Sequence, residues 1–336
     1  MLPVTPQSRP AKNGLVFFIV FFALLFSAAA QPVNVQQFQN NQQVQQMQMP
    51  SYGAAAATNA PELYEGESTD VGPQHILRLN PCAKYFDIFF DSQLYYSDNA
   101  NYAQGSSIIA SSVFVNTVQA AITPPELKLG QGKFAPAAGV VGQWYNYGNN
   151  RMTSLDFNAQ TFFISGRYTY NDWQLSLGGN YTRLLNQDDY NQTYDEFLPV
   201  LAVQRLFPMA DRFLLVIGNQ IDYHFTDVPA TLGTSSEINN RFDEVVNVAL
   251  SWQLNRHVAL QPYGRFQFSN YRYNTLQTSD RNDYLYSIGV TLACNINQNF
   301  SLRAFFNYNI KQSDDSYTPA YHEYNGGFGG TANFSF

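Results

Sequence analysis

The feature that most constrains this chain is a two-residue alternation of apolar and polar side chains, which recurs in long runs over most of its length. In the run 242–254, Phe242 and Trp252 share one parity, whereas Asp243 and Ser251 share the other. Successive side chains of a β-strand point to opposite faces, so each run predicts a strand with one apolar and one polar face. Runs of about 13 to 16 residues are long enough to cross a bilayer at a tilt.

The joins between these runs alternate in length. The short joins are Asn171-Asp172, 208–211, Asn255-Arg256 and 297–298, and the long joins are 187–193, 227–240, 274–281 and 312–320. A transmembrane β-barrel has short turns at one end and longer loops at the other. The alternation therefore predicts an antiparallel barrel and fixes the direction of every strand.

The sequence predicts about twelve strands. Their ranges are 83–97, 106–121, 134–148, 157–170, 173–186, 194–207, 212–226, 241–254, 257–273, 282–295, 299–313 and 321–336. The first two are poorly patterned, and the segment after them contains Pro124 and Pro125, which cannot donate ladder hydrogen bonds. Ten strands with a larger N-terminal extension is the alternative count.

The N-terminus has the order of a secretory signal peptide. Arg9 and Lys12 precede an apolar run at 15–25, and three alanines end the segment 1–30. The run is shorter than the ~20 residues that a membrane-spanning helix needs. We therefore expect 1–30 to be cleaved on export, with a retained membrane anchor as the alternative.

Residues 31–81 form a separate region, which is rich in Gln, Asn and Ala. Polar low-complexity sequence of this kind buries too little apolar surface to fold alone. We interpret 31–81 as a flexible periplasmic tail that precedes a barrel at 82–336. A plug inside the barrel lumen and a short coiled-coil segment are the alternatives, although no sustained heptad pattern supports the second.

Composition agrees with a wall between lipid and water. Charged residues are 13% of the chain and aromatic residues 16%, and charge facing hydrocarbon costs several kcal/mol. The formal net charge of -7 argues against nucleic-acid binding. The two cysteines, Cys82 and Cys294, give no zinc spacing, so we expect two unpaired thiols rather than a disulfide or a metal site. We also expect no cofactor.

The C-terminal stretch 324–336 is rich in glycine and aromatic residues and ends in Phe334-Ser335-Phe336. It resembles the closing strand of bacterial outer-membrane β-barrel proteins, the class that includes the porins, which tend to end in an aromatic residue. The resemblance implies a Gram-negative-type outer membrane, with lipid and lipopolysaccharide as neighbours. It also implies insertion by the barrel-assembly machinery, with Phe334 and Phe336 as the signal and with the tail and C-terminus in the periplasm.

A soluble β-sandwich is the structural rival. Sandwich strands are usually about five or six residues long, whereas the runs here are more than twice that length. Aromatic residues also gather near the predicted strand ends, as at Tyr168, Tyr170 and Trp173. Such clusters are typical of the aromatic girdles at membrane interfaces, so the barrel is favoured.

The parity of the strands predicts which side chains point inward. The lumen-lining candidates are Arg167, Arg265, Arg303, Gln220, Asp222, His224, Gln261 and Gln267. Strand direction puts Arg167 and Arg303 in the periplasmic half and Arg265 near the middle. Charged rings of this kind select ions or polar solutes, so a passive porin or channel is the first hypothesis. The alternative is a lumen filled by side chains, in which the arginines pair with carboxylates.

Two further functions are open. Asp222-Tyr223-His224 places a carboxylate and an imidazole on one face of a strand, and this pair resembles half of the site of omptin-type outer-membrane proteases. No Asp-x-Asp pair supplies the second half, so we expect no catalytic residues and no enzyme. The other function is a non-conducting surface anchor or adhesin, although the predicted external loops are short for an adhesin. The sequence does not define the oligomeric state.

Overall fold

The computed structural model describes residue 38 and residues 84–228, 235–273 and 279–336. These residues form thirteen strands and two single-turn 3-10 helices. The strands are β1 (Phe86–Ser97), β2 (Ser111–Ile122), β3 (Leu127–Leu129), β4 (Gly132–Tyr147), β5 (Phe157–Tyr170), β6 (Trp173–Asn186), β7 (Gln192–Ala210), β8 (Phe213–Asp227), β9 (Arg241–Gln253), β10 (Val258–Tyr271), β11 (Arg281–Asn295), β12 (Phe300–Ser313) and β13 (Tyr321–Ser335). The 3-10 helices are Gly105–Ser107 and Thr153–Leu155. None of the described residues belongs to a helix with the length and hydropathy needed to span a membrane.

The strands form one closed antiparallel barrel. Each strand from β4 to β13 pairs with the next, β13 pairs with β1, β1 pairs with β2, and β2 pairs with β4. The short β3 pairs only with the start of β4, so it stands outside the cycle and leaves twelve barrel strands. Closure leaves no unpaired edge, which is what a spanning sheet requires in lipid. The predicted twelve-stranded barrel is confirmed.

One end of the barrel carries the short turns, and we call it the short-turn end. Asn171 and Asp172 join β5 to β6 in a two-residue turn, where Asn171 has a φ of 50°. Asparagine tolerates this left-handed conformation better than most residues. The turns at 254–257 and 296–299 use another device, because the side-chain oxygens of Asn255 and Asn297 each accept two backbone N–H groups that follow.

The opposite end carries the long connections, and we call it the long-loop end. In the connection between β1 and β2, Asn99 donates hydrogen bonds to the carbonyls of Ala103 and His322, at 2.9 and 3.0 Å. In the connection between β4 and β5, Asp156 accepts a hydrogen bond from the backbone N–H of Tyr147 at 2.8 Å, while burial raises the pKa of its carboxyl. These contacts hold the loops against the rim of the barrel.

The two faces of the wall differ as the alternation predicts. On β9, Phe242, Val248 and Trp252 are exposed on the outside, whereas Arg241 and Asp243 are buried inside. Aromatic pairs lie on the outer surface near each end. Near the short turns, Phe213 stacks on Trp252 with ring centroids 5.7 Å apart. Near the long loops, the ring centroids of Tyr223 and Phe225 are 4.5 Å apart. This distribution suits a hydrocarbon layer bounded by two interfaces.

Three local details differ from the sequence prediction. β2 begins at Ser111 rather than at 106, because residues 105–107 form a 3-10 turn. β7 continues through Pro208 to Ala210, where a bulge accommodates the proline, so the turn to β8 is shorter than predicted. The segment after Pro125 contains the unpredicted hairpin of β3 and β4, whose turn places Gly130 at a φ of +60°.

Two predicted segments lie largely outside the described residues. The signal peptide, 1–30, lies entirely outside them. Phe38 is the single described residue of the predicted tail, 31–81. Its side chain is 1% exposed, and its position is considered with the interior below.

Candidate functional site

The candidate site is the inner face of the barrel, which we call the lumen wall. Six of the eight predicted lumen residues are buried there, and the other two are Gln220, half-buried, and Arg167, exposed near the short-turn end. The six buried residues are Arg265, Arg303, Asp222, His224, Gln261 and Gln267. Whether they line a conducting path stays a prediction, but their contacts divide the wall into three levels.

The level near the short-turn end is held by an ion pair between β12 and β1. Arg303 contacts both carboxylate oxygens of Asp91, with Nη2 2.9 Å from Oδ1, and the same nitrogen donates to Gln93 Oε1 at 3.0 Å. These two strands are not neighbours, since β13 lies between them. Gly329 on β13 pairs with both Arg303 and Gln93, and a Cβ at this position would lie 3.1 Å from the guanidinium carbon. The arginine therefore reaches Asp91 by crossing over a residue that has no side chain.

The middle level has polar side chains and one guanidinium without a carboxylate. Arg265 contacts Gln267 Oε1, and among the described residues no carboxylate oxygen lies within 4.0 Å of it. Gln267 in turn donates to Asp243 Oδ2 at 2.7 Å. Closer to the long-loop end, on β12 and β11, Lys311 and Asp283 form an ion pair at 2.9 Å. Among the described residues Arg265 thus has no ion-pair partner of its own, and the acids whose charge acts on it are Asp222 and Asp243, toward the long-loop end.

The level near the long-loop end contains a cluster of five charged or titratable residues, which we call the His224 cluster: Glu196, Asp222, His224, Arg241 and Asp243. The imidazole Nε2 lies 2.9 Å from Asp222 Oδ1, 3.0 Å from Asp243 Oδ2 and 3.1 Å from Arg241 Nη2, and Nδ1 contacts Glu196 Oε1. Arg241 Nε is 3.0 Å from both oxygens of Asp243. The sheet register creates this cluster, because β8 and β9 pair Asp222 with Asp243 and His224 with Arg241.

The chemistry of the His224 cluster follows from its charges. Asp222, His224 and Asp243 offer one ligand atom each within 4.8 Å of one another, a donor set that suits a divalent cation. The guanidinium of Arg241 already lies against the same atoms, and its fixed positive charge opposes a metal ion there. Both ring nitrogens of His224 are engaged and the side chain is buried. The contacts therefore hold the imidazole in a polar network and leave no ring nitrogen directed at a substrate.

The sequence predicted only part of this cluster. Asp222 and His224 were recognised because they lie two apart on one strand. Arg241 and Asp243 have the same spacing on β9, and parity placed Asp243 on the polar face, but no sequence pattern assigned either residue to the height of His224. Glu196 lies in a stretch where apolar residues occupy both parities, so the sequence pattern does not indicate that its side chain points into the barrel.

Beside the His224 cluster, the wall becomes apolar. We call this group the apolar chamber: Tyr95, Val113, Val115, Tyr145, Phe157, Ala159, Leu184 and Tyr194, all near the long-loop end and all buried. The rings of Tyr145 and Phe157 stack with centroids 4.3 Å apart and an interplanar angle of 8°. Phe38 belongs to the same cluster, and its ring meets the Tyr145 ring edge-on at 6.5 Å.

No known protein family matches the chain, and no curated protein matches its sequence. Among solved structures, an outer-membrane channel from Pseudomonas putida F1 is similar over 75% of this chain and 96% of its own, with 8% identity and a TM-score of 0.50. The beta domain of the Bordetella autotransporter BrkA matches 75% of this chain and 100% of its own, at 10% identity and a TM-score of 0.40. The NanC porin is similar over 73% of this chain and 98% of its own, at 9% identity and a TM-score of 0.40.

At 8% identity the similarity to the Pseudomonas channel, whose TM-score is 0.50, concerns the backbone architecture alone. It agrees with the closed antiparallel cycle, the apolar outer surface and the polar lumen wall described above. The chain therefore has the fold of a bacterial outer-membrane β-barrel with twelve antiparallel strands.

Proposed function

We propose that this protein is a passive outer-membrane channel for small polar solutes or ions. The observation that carries the proposal is the polar lumen wall, where buried side-chain atoms have no hydrogen-bond partner among the described residues. They include Gln261 Nε2, Asn307 Oδ1 and Asn325 Oδ1. Buried polar groups in proteins are almost always satisfied. These atoms are closed to solvent in this structure, so water or a permeating polar solute would reach and satisfy them only when the surrounding side chains move apart in a conducting lumen.

The charge of Arg265 also supports the proposal of a channel. The guanidinium of Arg303 and the ammonium of Lys311 each face a carboxylate, so their fields are largely cancelled at short range. Arg265 has no such partner among the described residues, and it lies near mid-height on β10. A fixed charge inside a narrow pore selects between anions and cations. We infer that Arg265 favours anions or the negative groups of polar solutes at this height.

Planar-bilayer recording of the refolded mature chain tests this function. We expect discrete current steps, and in a salt gradient we expect Arg265→Gln to move the reversal potential toward that of the cation. Ile288→Val is the matched control, because Ile288 lies on the outer face and this change leaves the lumen charge intact. A reversal potential that is the same in the wild type and Arg265→Gln would contradict the assigned role of Arg265.

A non-conducting anchor is the second candidate, and the apolar chamber favours it. Aromatic side chains fill the long-loop end of the interior, and most charges of the wall are paired. An anchor would show no current steps, either in the wild type or in a variant with smaller side chains at this end of the barrel. That result would overturn the channel proposal.

We also propose that the barrel is not an omptin-like hydrolase. In that type of site a carboxylate–imidazole pair is joined by a second pair of carboxylates that helps to activate water, whereas the His224 ring is buried and engaged at both nitrogens. Peptide cleavage by the purified protein that disappears in His224→Ala would contradict this. A hydrolysis rate equal to that of the buffer is the expected result.

The orientation and assembly route are proposals of the same kind. We infer that the short-turn end, the tail and the C-terminus face the periplasm and that the barrel-assembly machinery recognises the last strand through Phe334 and Phe336. The main chain of Phe336 pairs with Tyr85 and Phe86, which leaves its ring exposed. We expect Phe336→Ala to lower the amount of folded barrel in the outer membrane, whereas Phe336→Tyr preserves it.

A further inference from the structure

A pocket opens on the outer face of the barrel near the long-loop end, and we call it the outer pocket. It has a volume of about 370 Å³ and lies between β4, β5 and the loop that follows β6. Binding sites for small molecules usually have volumes of about 300–1,000 Å³. The lining of the outer pocket includes Trp144, Asn158, Gln160, Gln187 and Tyr190.

The outer pocket lies where the apolar outer surface ends. Trp144 is three positions before the end of β4, and its ring is exposed. Further from the long loops, the same face carries Val140 and Phe162, which pair in register and are both exposed. Exposed tryptophan and tyrosine rings at such a boundary are typical of the headgroup level of a membrane. A lipid can therefore place its headgroup in the pocket and its acyl chains against the barrel wall.

The side-chain amides of the pocket have fixed orientations. Gln187 Nε2 faces the backbone carbonyl of Tyr145 at 3.5 Å and donates to Asn158 Oδ1 at 3.2 Å. Arg183 Nε, on β6, donates to Gln160 Oε1 at 2.9 Å. A main-chain carbonyl accepts and a guanidinium donates, so these contacts identify the oxygen and the nitrogen of each amide. Asn158 Nδ2 and Gln160 Nε2 have no hydrogen-bond partner among the described residues.

Arg183 adds a positive charge at the edge of the pocket. It pairs in register with Gln160 on β5 and with Asp195 on β7. Asp195 accepts hydrogen bonds from Tyr181 and Gln192, at 3.2 and 3.0 Å. Within the described part of the chain, no carboxylate oxygen lies within 4.0 Å of the Arg183 guanidinium. Its two terminal nitrogens are therefore available to a ligand.

These groups define the chemistry of a ligand. Arg183, Gln160 and Asn158 leave N–H groups and one positive charge, which complement an oxygen-rich anion such as a phosphate. A guanidinium matches the geometry of a phosphate and can donate two hydrogen bonds to it. Trp144 and Tyr190 add rings that combine apolar surface with a polar group, which suit the partly apolar ring of a sugar.

We propose that the outer pocket binds the phosphorylated sugar headgroup of a glycolipid, whose acyl chains lie along Val140 and Phe162. The choice of a glycolipid rests on the orientation inferred above, because that orientation places the long-loop end in the leaflet that contains lipopolysaccharide. It does not rest on the channel function. The loop acids Asp188 and Asp189 oppose an anion weakly, since they are exposed to water and screened by salt.

Binding is tested on the full-length mature chain refolded in detergent, where membrane orientation plays no part. Native mass spectrometry measures the affinity for lipid A, the phosphorylated glucosamine lipid of lipopolysaccharide. We expect Arg183→Gln to weaken binding roughly tenfold, which corresponds to about 1.4 kcal/mol. Arg205→Gln is the matched control, because Arg205 is also exposed on the outer face but lies near the short-turn end, over the Trp173 ring. We expect this control to bind lipid A like the wild type.

A second variant tests the pocket without changing its charge. Gly142 is part of the lining, and the nearest atoms to a Cβ at this position all belong to the Trp144 ring, the first at 3.2 Å. Gly142→Val should therefore fill the pocket and weaken lipid A binding while Arg183 stays in place. A heat-dependent gel shift identifies the folded fraction of each variant, so that affinities are compared per folded barrel.

The outcomes separate the parts of the proposal. Equal affinity of the wild type and Arg183→Gln for lipid A would overturn it. Equal binding of dephosphorylated lipid A would overturn the recognition of phosphate. Phosphatidylglycerol that binds as tightly as lipid A, with the same dependence on Arg183, would overturn the glycolipid assignment in favour of any anionic lipid. Bilayer currents are expected to be the same in the wild type and Arg183→Gln, so these results and a failure of the channel proposal can be told apart.

Discussion

The ion pair between Asp91 and Arg303 allows a quantitative test of how the lumen wall is held together. The two side chains are 1% and 5% exposed, so water does little to screen them. Two unit charges about 4 Å apart attract by about 4 kcal/mol at an effective dielectric constant of 20. Removing one partner of a buried pair costs about 3–5 kcal/mol, because the other charge is left uncompensated.

We therefore expect a large loss in the free energy of unfolding when one charge of the pair is removed, and a smaller loss when both charges are removed together. Asp91→Ala leaves Arg303 with only the Gln93 amide oxygen, at 3.0 Å. We expect it to lower the free energy of unfolding by about 3 kcal/mol, toward the lower end of the range for broken buried pairs. The double variant Asp91→Ala/Arg303→Met removes both charges and should cost less than Asp91→Ala alone, since replacing a buried pair by apolar residues is often close to neutral.

The assay is urea unfolding of the barrel in phospholipid vesicles, followed by tryptophan fluorescence. All three tryptophans, Trp144, Trp173 and Trp252, are exposed on the described barrel surface and report loss of the lipid environment. Phe90→Leu is the control. Phe90 is the residue before Asp91 on β1, but its side chain lies on the outer face and makes no contact with the ion pair. A double variant as unstable as the sum of its single variants would refute the coupling. An Asp91→Ala cost below about 1 kcal/mol, the usual scale of an exposed ion pair, would show that the pair is hydrated.

Two further substitutions test the outer face and one short turn in the same assay. Ile288 lies at the middle of β11 and is 64% exposed on the outside. We expect Ile288→Lys to lower the free energy of unfolding by about 2–4 kcal/mol, the usual cost of a lysine at the bilayer midplane, whereas Ile288→Val should lower it far less. A cost near zero for the lysine would mean that this surface does not face lipid. Asn171 has a φ of 50°, so Asn171→Val should destabilise the barrel by about 1–2 kcal/mol and Asn171→Gly should not; equal stability of both variants would show that the turn relaxes into another conformation.

Much of the fold could be predicted from the sequence because its signals are local. The predicted strands 157–170 and 173–186 match β5 and β6, since the alternation runs without interruption to the Asn171-Asp172 turn. The predicted start of β2 was five residues too early, because a strand pattern does not reveal a 3-10 turn at 105–107. The hairpin of β3 was missed because the two prolines before it mark a turn and carry no pairing information.

The interior was less predictable, for a different physical reason. Parity on a single strand gives the face of a side chain, and it put Asp222 and His224 on the inner one. Their contacts with Glu196 and Asp243 depend on the register between strands, which is set by turn lengths and bulges along the whole barrel. Phe38 gave no signal, because one aromatic residue in a polar stretch does not create a periodic pattern.

The glycines of β13 have a consequence for how the barrel is closed. Gly327 faces Tyr95 on β1, and Gly329 lies beneath the arm of Arg303, so the last strand leaves room for its two neighbours to meet above it. Asp91 on the first strand and Arg303 on the penultimate strand can come together only when the two ends of the chain have joined. The ion pair therefore spans the seam between β1 and β13, and it ties the strands on either side of β13 to each other as well as to β13 itself.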